Sequence, residues 1–90
     1  MSYSANLISR LVINMSILDK KPMSNTKLVR VLYYIQAAFL VKKNKKAFDD
    51  SIEAWKYGPC IPNIYKKYRS AGTSRIENWQ SIEDYEVLDI

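Results

Sequence analysis

Ninety residues, 48% of them apolar, are enough for one small packed domain and too few for two. The chain has no histidine and a single cysteine, Cys60. This excludes an internal disulfide, a thiolate zinc cluster, the commonest general base and any Ser/His or Cys/His nucleophile pair. The net charge of +5 is unevenly spread. Residues 1–46 hold nine basic side chains against one acidic, and residues 47–90 hold five against eight, so the halves carry +8 and −3. Such asymmetry either serves solubility or directs a partner with an acidic protein surface or a nucleic-acid backbone.

The polar start of the chain has no basic segment followed by an apolar run, so no signal peptide is predicted. The longest apolar segment, Val31 to Val41, contains Tyr33, Tyr34 and Gln36 and is far too short to span a bilayer. With one cysteine, these features point to a reducing cytoplasm and no membrane partner. Two Gly and three Pro leave little punctuation for a many-stranded sandwich and favour helices.

Ser4 is a suitable N-cap for a first helix, with Leu7, Ile8, Leu11, Val12, Met15 and Leu18 as its expected core stripe. It should stop near Asp19 to Lys21, because Pro22 disfavours a helical residue before it. Ser24 is a second N-cap, with Met23 and Leu28 placed as a hydrophobic staple. The helix it opens runs uninterrupted from Asn25 to about Lys43. Leu28, Leu32, Ile35 and Phe39 form its main face, and the apolar surround predicts a central helix. Lys42 to Lys46, with four lysines in five residues, reads as a solvated connection. Trp55 and Tyr57 flank a Gly58-Pro59 break, and Pro62 suits the first turn of a further helix carrying Ile64, Tyr65 and Tyr68. Gly72 sits where a C′ glycine belongs. Ser74 to Trp79 reads as a strand or loop around Ile76, and Ser81 with Asp84 loosely resembles a capping box opening a last helix.

Two stretches stand out as motifs. One is Lys27-Leu28-Val29-Arg30-Val31-Leu32-Tyr33-Tyr34-Ile35-Gln36. The other runs from Phe48 through Ile52, Ala54-Trp55-Lys56-Tyr57-Gly58-Pro59 and Pro62 to Tyr65. Together they resemble the Panacea, or SocA-like antitoxin, domain of bacteria and their phages, over about Ala5 to Ile76. Val29, Arg30 and Cys60 stand where that family usually carries glutamine, lysine and valine. The resemblance implies one such domain over residues 1–90, shorter than the family after about residue 76. It also implies an antitoxin that neutralises a cognate toxin by direct contact, in the cytoplasm of a bacterial or phage-infected cell.

The residues of the motif read as follows. Leu28, Leu32, Ala54, Gly58, Pro59, Pro62 and Gly72 are structural. Trp55 is expected to anchor the core on the Asn25–Lys43 helix, where truncation of a buried ring costs about 3–5 kcal/mol. Lys27, Arg30, Tyr33, Tyr34, Tyr57 and Tyr65 are the candidates for partner contact, since aromatic and basic residues dominate interface hot spots. No catalytic residue, cofactor or metal ligand is expected. The predicted fold is mainly α, a compact domain of four to five helices with one short β-hairpin near Ile52 and Ile76, winged-helix-like. DNA binding as a phage or operon regulator, delivery of a partner to a protease, and self-association are the alternatives in function and partner.

Overall fold

In the computed structural model, residues 3–56, 58–71 and 74–82 are described. The helix α1 (Ala5–Leu18) begins at Ser4, whose hydroxyl accepts from the Leu7 N–H at 3.1 Å. It ends in a turn in which Lys20 adopts a left-handed conformation, φ 59°. The helix faces the core through Ala5, Ser9, Ile13 and Ser16. Met15 and Leu18, expected in the core stripe, lie two-thirds exposed instead, at 66% and 70%. Ser9 and Ser16 can be buried because their hydroxyls donate back to the carbonyls of Asn6 (2.8 Å) and Ile13 (2.6 Å), leaving no donor unsatisfied. Hydropathy alone ranks a serine below a methionine and so rotates the predicted stripe away from the true one.

The helix α2 (Asn25–Lys43) has the predicted bounds. Ser24 caps its first turn, Asn44 closes it in a left-handed conformation at φ 53°, and Lys42 and Lys43 complement its C-terminal dipole. Leu28, Val29 and Leu32 are fully or almost fully buried, with Ile35 and Phe39 packed beside them. A two-stranded antiparallel hairpin follows, β1 (Glu53–Trp55) and β2 (Gly58–Cys60), paired Glu53 to Cys60, Ala54 to Pro59 and Trp55 to Gly58. Gly58 takes φ 122°, a conformation that side chains resist. In a two-residue hairpin the pair closing the loop is hydrogen-bonded and the next is not. Pro59, opposite Ala54, therefore sits where a ladder donor is not needed. β2 packs on α2. The helix α3 (Pro62–Lys67) starts with the expected proline in its first turn, and a 3₁₀ turn spans Arg69–Ala71.

The prediction of four to five helices is corrected: the described residues form three α-helices and one 3₁₀ turn. The helix expected after Ser81 and the cap at Gly72 lie outside the described residues. The predicted pairing of Ile52 with Ile76 is also corrected. The hairpin closes within the Ala54–Pro59 motif, between α2 and α3, which is not the order of a winged helix. The segment around Ile76 returns to the start of α2 instead. Arg75 bridges to Ser24, and the Ile76 N–H donates to the Met23 carbonyl at 2.9 Å.

A single core joins Ala5, Ile13, Leu28, Leu32, Phe48, Ile61, Ile64 and Ile76. Its most connected polar group is Gln36, buried on α2. The Gln36 Oε1 accepts from the N–H groups of Ala47 (2.8 Å) and Phe48 (3.2 Å), and its Nε2 donates to the Phe48 carbonyl (2.8 Å). The same segment is held from outside. The Tyr3 N–H donates to the Ala47 carbonyl at 2.8 Å. Asp50 accepts from the Ala5 N–H and from the Asn63 amide, both at 3.0 Å, tying the start of α1 to α3.

Replacing Gln36 by leucine keeps the volume and strands three buried backbone groups, each worth about 1–3 kcal/mol when unsatisfied. Gln36→Leu should therefore lower the unfolding free energy by at least about 3 kcal/mol in urea titrations. Asp50→Ala, which removes a partly solvated helix cap, should cost only about 1 kcal/mol.

Candidate functional site: a cleft between the central helix and the hairpin

The hairpin stands against the first half of α2 and leaves a cleft of about 120 Å³ between them. Its floor is Val29 with Pro59 and Cys60, and its outer wall is Trp55. Tyr65, one turn into α3, meets the Trp55 ring edge to face, with centroids 5.2 Å apart and planes at 71°. The Trp55 indole N–H donates to the Glu53 carboxylate at 2.9 Å, which fixes the ring along β1. Thr26 and Arg30, four residues apart on α2, supply the polar rim. Trp55 is not in the core: 40% of its surface is exposed, and the apolar interior is filled by Phe48 and Ile61 without it.

Four of the six candidates, Arg30, Tyr33, Tyr34 and Tyr65, fall on one continuous side. Arg30 lines the cleft, and one turn further along α2 Tyr33 and Tyr34 meet edge to face at 5.7 Å. Tyr34 is 68% exposed, and Leu40 and Val41 continue the exposed apolar surface to the lysine turn. Lys27 lies on the neighbouring flank of α2, beside a second groove shared with Val12, Met23 and Ile35 of the α1 side. Tyr57 lies outside the described residues. Leu28 and Leu32 are in the core, Pro62 opens α3, and the exposed Ala54 is in β1. The Lys42–Lys46 turn is exposed throughout.

Two residues escaped the sequence reading. Gln36 was visible only as a letter of the Tyr-Tyr-Ile-Gln run, with nothing to mark it as buried. Cys60, noted as the lone cysteine and a valine replacement but not as a site residue, lines the cleft. Its thiol is pushed above the ordinary value of 9.0 by burial and, secondarily, by the Glu53 carboxylate. A thiol held protonated in this way is a poor nucleophile. Among the described residues no group of three or more His, Cys, Asp or Glu side chains could hold a metal ion. No helix among them is long and apolar enough to cross a membrane. The arrangement offers recognition: an apolar well, an aromatic wall and a cation.

Burial that favours the neutral thiol adds stability that is complete below pH 9.0 and is lost as pH rises through the raised folded-state value. The Tyr68 phenol, also raised by burial from 10.0, adds a second loss at higher pH. Thermal melts should therefore fall as pH climbs past about 9, and Cys60→Val should remove the earlier part of the fall and leave the later. Trp55→Ala, which gives up a half-exposed ring and one aromatic contact, should cost only about 1–2 kcal/mol in urea titrations.

Comparison with known proteins agrees with the motif. No solved structure matches the chain. The antitoxin SocA of Caulobacter vibrioides (strain NA1000 / CB15N) is 31% identical over 77 residues, which cover 86% of this chain and 41% of that protein. The chain therefore spans less than half the length of this relative. The family described as antitoxin SocA-like, Panacea domain, matches residues 28–89, taking in α2 from Leu28 on, the hairpin and α3. The chain belongs to the SocA-like, Panacea-domain family of antitoxins.

Proposed function

We propose that this chain neutralises a toxin protein by binding it directly through the face made by α2 and the hairpin. The observation that carries this reading is the surface itself. Arg30, Tyr33, Tyr34 and Trp55 are gathered on one side of a domain whose buried core is complete without them, and the half-buried Tyr65 links that core to the Trp55 ring. Tyrosine, tryptophan and arginine are the residues that dominate interface hot spots. Large aromatic area left outside a finished core marks an interaction site. The reading places the protein in the cytoplasm, where its work is binding and not catalysis.

The +8 half of the chain gives the surface a sign. Lys27, Arg30 and the Lys42–Lys46 turn favour an acidic toxin surface, and such rim charges act mainly on the rate of encounter. DNA binding fits less well. The hairpin that would have to serve as a wing presents Glu53 and Trp55, and the lysine turn contains no arginine fork or interleaved aromatic.

The test is co-expression with a candidate toxin, sought first among the genes beside this one. Growth should be restored and the two proteins should co-purify. Trp55→Ala and Tyr34→Ala should each weaken the complex at least about tenfold by faster dissociation. Glu substitutions in the lysine turn should slow association. Rescue that survives all of these changes refutes the proposed face. A salt-sensitive shift of promoter DNA, abolished by the lysine changes with rescue untouched, favours the regulator instead.

A further inference from the structure

We propose that the cleft between α2 and the hairpin is a receptor for one apolar side chain that sits next to a carboxylate, with the carboxylate held by Arg30. This deepens the antitoxin reading and rests on it for the identity of the partner: a toxin segment with an aromatic or branched aliphatic residue beside Asp or Glu. Three observations meet here. The first is size. A volume of about 120 Å³ is close to that of a dry apolar cavity known to admit a single benzene ring. The second is lining. Val29, Pro59, Cys60, Trp55 and Tyr65 are apolar or aromatic. A charged or strongly polar group would gain nothing by entering, whereas a ring or isobutyl group would shed water from the faces it turns to the lining.

The third is charge. Arg30 is exposed at the rim, and among the described residues no carboxylate pairs with it. The nearby acid of the hairpin, Glu53, is engaged by the Trp55 indole. A guanidinium presents a planar fork suited to two-point capture of a carboxylate. A phosphate backbone would need several cations in reach of one another, and among the described residues Arg30 is the one cation that lines the cleft.

The probes are 3-phenylpropionate and its neutral amide, titrated into the full chain and followed by amide and indole NMR shifts. Trp79 does not line the cleft and serves as an internal control. The acid should bind in the millimolar range, as fits a small ligand of about ten heavy atoms. It should shift the Trp55 indole and the Gly58 and Cys60 amides saturably. The amide should bind about tenfold more weakly at the same residues. Arg30→Gln should erase the difference, and Arg30→Lys should restore part of it. Equal binding of acid and amide overturns the role of Arg30. No saturable shift at Trp55 in the folded protein, or shifts centred elsewhere, overturns the receptor. Binding as predicted by a chain that rescues no toxin would leave the receptor standing and remove the antitoxin reading.

Discussion

The fold turns on a single buried amide. Gln36 projects from the middle of α2 into the chain that has just left that helix, and it satisfies the backbone of residues 47–48 as a strand neighbour would. A segment crossing the core without regular structure would otherwise bury backbone groups with no partners, at a cost that a 90-residue domain could not absorb. Once residues 47–48 are fixed, Phe48 is set in the core. Tyr3 can then pair alongside it, and Asp50 is brought to where it caps α1 and meets Asn63. The hairpin begins three residues later. Its position against α2, and with it the cleft, therefore depends on Gln36 although Gln36 touches neither.

The same device recurs at the other end of the chain. Asn14 of α1 exchanges two hydrogen bonds with the backbone of Gln80, at 2.9 and 2.8 Å. Asn25 at the start of α2 donates to the Tyr65 carbonyl of α3 at 2.9 Å. Buried amides that bond the backbone of other segments take the place that further strands or helices fill in larger proteins. They explain how the three α-helices and the hairpin of the described residues close a core with so little regular structure to connect them.

Much of this was legible from residue types. The caps at Ser4 and Ser24, the end of α2 before Asn44 and the proline start of α3 follow from local chemistry that tertiary context rarely overrides. The inward amides and hydroxyls were not legible. Whether Gln36 or Ser9 faces in or out depends on what the rest of the chain places opposite, and a hydropathy pattern assigns both to solvent. The hairpin was misplaced for a related reason. Glu53 to Trp55 and Gly58 to Cys60 are too short to show strand alternation, so the register rests on the Gly58 conformation and the two-residue loop between them. The cleft could be assembled only after both corrections, since its walls come from β1, β2, α2 and α3. The candidate residues Arg30 and Tyr65 are 35 positions apart in the sequence and line one cleft.

The exposure of Trp55 follows from this construction and bears on function. A two-stranded hairpin has one face against the body of the protein and one edge in water, and β2 takes the inner place because Cys60 and Ile61 feed directly into the core. β1 is left outside, with all three of its residues exposed. A tryptophan there is held by Glu53 and Tyr65 in a fixed orientation but only half covered. For stability alone a small polar residue would serve as well at an outer strand, and would carry less risk of edge-to-edge association. The ring already has two side-chain contacts before any partner arrives, which reduces the side-chain entropy left to lose on binding. An aromatic held in this way, on a short strand beside an apolar well and a guanidinium that pairs with no carboxylate among the described residues, suits the proposed recognition of another protein's surface.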